Sequence, residues 1–176
     1  YTMFGTILEP QLHYAANENL TFTVGAFLRK DFGDNGLHSA KPLINLKYHK
    51  NNLSLSFGSL EGNVQRSFIE PLYDIERRIT DPVEYGTQFT YDHSAFDVNA
   101  WIAWDNMIYK YSSDQEQITG GLTGNIKLIN QDYDKLSVPI QTMIRHRGGQ
   151  IDVNQTAPLS TIINAAIGLS YSKLLK

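Results

Sequence analysis

Apolar and polar side chains take turns along nearly the whole chain, and that period of two limits what it can fold into. Leu20, Phe22, Val24, Ala26 and Leu28 alternate with Thr21, Thr23, Gly25, Phe27 and Arg29. Val83, Tyr85, Thr87, Phe89 and Tyr91 alternate with Glu84, Gly86, Gln88, Thr90 and Asp92. Ile163, Ala165, Ile167, Leu169 and Tyr171 close the series against Asn164, Ala166, Gly168 and Ser170. Successive strand side chains point to opposite faces, so each such stretch reads as a strand with one apolar and one polar face. The pattern predicts about nine strands of about eight to twelve residues and an all-β antiparallel meander. The one other element expected is a turn near Asp74 to Ile79.

The connections alternate in length. Short ones fall at residues 16–19, 50–52, 93–95 and 130–134; long ones at 31–40, 59–82, 110–117 and 146–160. A soluble sandwich has no reason to keep that order, whereas a transmembrane barrel has tight turns at one end and long loops at the other. Tyr14, Tyr48, Tyr91, Phe96, Tyr133 and Tyr171 sit by the short turns; Phe32, Phe57, Tyr85, Tyr109 and Tyr111 lie toward the long loops. Two aromatic belts are what the two faces of a bilayer favour. Averaged hydropathy points the other way. Its mean is −0.31, with 41% hydrophobic and 19% charged residues. Averages cannot register alternation, so the pattern governs. The net charge of −3 gives no basic field for nucleic acid, and the absence of cysteine removes disulfides, thiolate metal sites and a thiol nucleophile.

Two short segments strengthen the reading. Ser67-Phe68-Ile69-Glu70-Pro71-Leu72-Tyr73-Asp74, followed by Glu84-Tyr85-Gly86-Thr87-Gln88-Phe89, resembles porin-like outer-membrane proteins of Bacteroidota. The resemblance implies a β-barrel in the bacterial outer membrane, in contact with lipid and lipopolysaccharide, and supplies no catalytic residues. Single-chain bacterial barrels have an even strand number. About nine strands and a chain ending in Lys176 favour residues 1–176 as one barrel region belonging to a longer chain. Pro10 and Pro139 fall inside strand patterns, where each removes a ladder donor and marks a bulge or strand end.

In a barrel the polar strand faces line the interior. Pore-lining candidates are Arg29, Lys47, His49, Glu84, Gln88, Asp97, Asn99, Asp105, Lys127 and Arg145. Their mixed signs suit either a wet lumen for small polar solutes or side chains that pair and fill the barrel. The longest loop carries Glu70, Asp74, Glu76, Arg77 and Arg78 beside apolar Phe68, Ile69, Leu72, Tyr73 and Ile75. It folds back to narrow the lumen, or it stays at the surface around its own ion pairs and a small apolar plug. Arg145-His146-Arg147 is a small cationic cluster at a long-loop end, suited to lipopolysaccharide, an anionic solute or plain solvation.

The five histidines lack metal-ligand spacing, the glycines at 120, 121 and 124 lack the lysine of a phosphate loop, and no nucleophile-elbow sequence is present. The sequence therefore predicts no cofactor, no metal and no catalysis. It points to passive passage of small polar solutes through a porin-like channel. Its rivals are a secreted carbohydrate-binding β-protein using Trp101, Trp104 and Tyr109, a side-chain-filled membrane barrel, and an outer-membrane barrel enzyme.

Overall fold

A computed structural model describes residues 4–60, 66, 68–73, 76–112, 114–149 and 158–174. The strands are β1 (Gly5–Leu8), β2 (Gln11–Asn17), β3 (Leu20–Asp31), β4 (Ser39–Lys50), β5 (Leu53–Ser59), β6 (Tyr85–Asp92), β7 (Phe96–Asn106), β8 (Gln117–Asn130), β9 (Asp134–Arg147), β10 (Ser160–Ile167) and β11 (Ser170–Lys173). Among the described residues one short helix, α1 (Arg77–Thr80), lies between β5 and β6 and overlaps the stretch read as a turn. Asp74 and Ile75 of that stretch are outside the described residues.

All pairings are antiparallel, and β3 to β10 pair in chain order. Both ends of the row are split strands. β1 and β2 both pair with β3, and β10 and β11 both pair with β9. Counted by position, the meander has the nine rows that the alternation predicts. The two prolines explain the splits. Pro10 separates β1 from β2, and its carbonyl accepts from the Ala26 amide at 3.1 Å. Pro139 has no N–H to give its neighbour. β10 stops opposite Ile140 and β11 resumes opposite Ser137, with the Gly168 amide bonded to the Pro139 carbonyl at 3.0 Å.

The burial pattern is inverted relative to a water-soluble sheet. Phe22, Val24, Ile44, Leu46, Phe57, Ile102, Leu122 and Ile163 lie on the outer face, with Phe57 67% and Ile163 62% exposed. Thr23, Arg29, Asn45, Ser56, Glu84, Gln88, Thr119 and Gln141 are buried. An apolar face continuous over this many strands exceeds what soluble monomers expose, and it fits contact with hydrocarbon. Tyr14, Tyr133 and Tyr171 are exposed by the short turns, and Tyr109 and Tyr111 by a long loop.

Toward the long-loop end, the polar face is covered by the described residues 66, 68–73 and 76–81 of the longest loop. The apolar cluster between this segment and the sheet is small: Tyr73, Trp101, Ala103 and Met143, with Leu60 and Phe68 packed against it. The Phe68 ring stacks on Tyr73 at 6.1 Å and meets Trp101 edge-on at 6.5 Å. Gly121 on β8 leaves room for this, because a Cβ there would lie 2.8 Å from the Phe68 ring. Gly121→Val is therefore expected to lower stability by about 1–3 kcal/mol through overpacking. Thermal unfolding in detergent measures it, and an unchanged midpoint would contradict the packing role.

Candidate functional site

The polar-face strand residues singled out from the sequence lie on the polar face of the sheet, although the register shifts between Trp104 and Asn106 and between Lys127 and Ile129. Their partners divide them into groups. Arg29 donates to both carboxylate oxygens of Asp31 at 2.8 Å and to the Ile79 carbonyl at 2.8 Å. Gln88 donates to Asn99 at 3.1 Å. Lys127 lies 3.0 Å from Asp92 and 3.4 Å from Asp97. His49 Nδ1 is 2.7 Å from Ser54 Oγ across β4 and β5. Lys47 sits opposite Thr21 and Ser56.

Glu84 and Asp105 anchor the covering segment. Arg66 pairs with Glu84 and places its guanidinium carbon 4.0 Å above the Trp101 ring. Arg77 reaches Asp105 at 3.1 Å and Glu84 at 3.8 Å, and Thr119 donates to the Asp105 carboxylate. Burial opposes the charge on Arg77, yet Asp105 and Glu84 outweigh it and hold its pKa above the ordinary arginine value. Lys41 pairs with Asp81 at the far end. The Glu76 carbonyl accepts from the Ile79 and Thr80 amides, closing α1. Asp74 and the Arg78 side chain are outside the described residues. The described residues of this segment, 66, 68–73 and 76–81, are thus seated on the polar face by charges at several points.

Two of the singled-out residues that are not part of this seat, Glu70 and Arg145, meet elsewhere. Glu70, Pro71 and Leu72 of the covering segment face Met143 and Arg145 of β9 and Ile162 and Asn164 of β10 across a groove of about 480 Å³. That volume lies within the range of about 300–1,000 Å³ usual for small-molecule sites. Leu72, Met143, Ile162 and Pro71 give it an apolar floor. A carboxylate, a guanidinium and an amide face it at the long-loop end of β9. Arg145 makes no ion pair among the described residues, so its charge is available to a ligand. Sequence reading named Glu70 and Arg145 but for separate purposes, and it missed Met143, Ile162 and Asn164. Asn164 carried one signal, a lone amide within Ile162-Ile163-Asn164-Ala165-Ala166-Ile167. No group of three or more acidic or histidine side chains suited to a metal occurs among the described residues.

The result is an all-β antiparallel meander with an apolar outer face, a partly covered polar face and a groove of mixed apolar and charged lining. The chain matches the family model described as Lipid A 3′-O-deacylase-type over residues 1–176, and it belongs to that family. No curated protein and no solved structure shows significant similarity to it.

This match overturns the expectation of a passive porin-like channel, and with it the expectation that no chemistry is catalysed. The family is named for an enzymatic activity, the removal of an acyl group. The transport reading and its small polar solutes lose their support, whereas lipopolysaccharide, of which lipid A is the lipid part, and an association with the cell envelope keep theirs. The physical reason for the error is plain. Alternation reports which face is polar, but not whether that face is open. Here the described residues of the longest loop occupy it toward the long-loop end. The carbohydrate-binding reading gives way to the same match; of its three rings Trp101 is buried beneath Phe68 and Arg66, whereas Trp104 and Tyr109 are exposed.

Proposed function

We propose that the protein is a bacterial outer-membrane enzyme that hydrolyses the ester joining an acyl chain to the 3′ oxygen of lipid A. The family match along the whole chain carries this reading. The inverted sheet supports a place in the bilayer, as a barrel or part of one. The groove supports the substrate, because its floor suits an acyl chain and Arg145 suits an anionic head. It lies toward the long loops, which in outer-membrane barrels face the extracellular side, where lipopolysaccharide resides.

The chemistry needs a base, an attacking water and stabilisation of the oxyanion. In this reading Glu70 takes a proton from water as its oxygen attacks the ester carbonyl. Arg145 and the Asn164 amide face the oxygen on which negative charge grows. The intermediate collapses by breaking the bond to the sugar oxygen, and Glu70 returns its proton to that oxygen. The products are a fatty acid and a free 3′ hydroxyl. Incubating the detergent-folded protein with lipopolysaccharide and weighing the lipid A by mass spectrometry tests this. Loss of the 3′ ester-linked acyl group is the expected result. An unchanged lipid A mass would overturn the reading.

A further inference from the structure

Glu70 stands on a segment without regular structure, so something outside that segment must fix where its carboxylate points. The Ile69 amide donates to Gln141 Oε1 at 2.9 Å, a contact spanning 72 positions of sequence. Gln141 is buried, 7% exposed, on the polar face of β9. The Ile69 carbonyl in turn accepts from the Leu72 and Tyr73 amides at 3.0 and 3.2 Å. Ile69 is therefore the base of the turn that carries Glu70, Pro71 and Leu72, and Gln141 holds that base. β9 sets both walls of the groove at strand spacing: Gln141 pins the turn, Met143 supplies floor two residues on, and Arg145 supplies the cation two further.

We propose that Gln141 is the positioning residue of the site. It sets the register of Glu70 against Arg145 and Asn164 and touches no reacting atom. The proposal rests on the deacylase reading for its kinetic consequence, but not for its structural one. Misplacing a catalytic group by about 1 Å costs on the order of 10²-fold in rate. Gln141→Met keeps the length and removes the acceptor, whereas Gln141→Glu keeps an acceptor at the same reach.

The chain has no native cysteine, so a single Glu70→Cys carrying a nitroxide spin label reports on the turn alone. The expected result is a drop in kcat of about 10–100-fold in Gln141→Met with KM little changed, partial recovery in Gln141→Glu, and a more mobile label at position 70 in the Met background. An immobile label in that background overturns the proposal, whatever the activity does. A mobile label, together with an unlabelled parent that keeps Glu70 and leaves lipid A intact, supports the positioning role and sinks the deacylase reading instead. Equal kcat in the Met variant and the parent, with deacylation present, also overturns it.

Discussion

Glu84→Ala is expected to destabilise the protein by about 3–5 kcal/mol, the largest loss foreseen for any single side chain here. The Arg66 and Glu84 side chains are 1% and 2% exposed, so neither charge has water to fall back on. The other polar partners do not compensate. Arg77 keeps Asp105 when Glu84 is lost, but among the described residues Arg66 keeps only the face of Trp101, and its Nε and Nη2 have no acceptor there. The asymmetry gives a second measurement. Replacing both members together, as Arg66→Met with Glu84→Leu, removes two buried charges at once and is expected to be neutral or stabilising by about 1–4 kcal/mol. Thermal unfolding in detergent reads both variants. A single variant as stable as the parent would mean the pair does not seat the covering segment.

Glu70→Gln is expected to lower deacylation by about 10²–10⁴-fold, the usual contribution of a general base. The amide matches the carboxylate in shape but cannot accept a proton from water. Glu70 pairs with nothing described, so the substitution strands no buried partner and leaves the fold as it is. Release of fatty acid from lipopolysaccharide vesicles measures the effect. Full activity in the glutamine variant would remove Glu70 from the chemistry and leave the groove as a binding site only.

Much of the fold could be read from residue order. Period two placed Arg29, Gln88, Asn99 and Lys127 on one face, because a strand allows only two choices and the hydrophobic residues take the other. Loop lengths gave the meander. Pro10 and Pro139 marked the two strand breaks, since a missing N–H is visible in one letter. The groove was not legible. Glu70, Arg145 and Asn164 come from a coil and two strands, and no spacing rule links them. That the longest loop folds back was one of two readings the sequence offered, but the contacts that hold it were hidden for the same reason. They depend on a gap at Gly121, a ring at Trp101 and an amide at Gln141, and each looks ordinary in its own strand. Function followed the same division. The polar face was correctly assigned and incorrectly interpreted, because vacancy and occupancy give the same alternation.

The inverted burial also shapes how stability responds to temperature. Unfolding a water-soluble domain moves an apolar core into water, raises the heat capacity and bends the stability curve. In this protein the covered face carries Arg66, Glu84, Arg29, Asn45, Gln88 and Gln141, and hydrating polar groups lowers the heat capacity. The two contributions offset, so the curve is flatter than that of a soluble domain of equal length, and cooling costs the protein little of its stability.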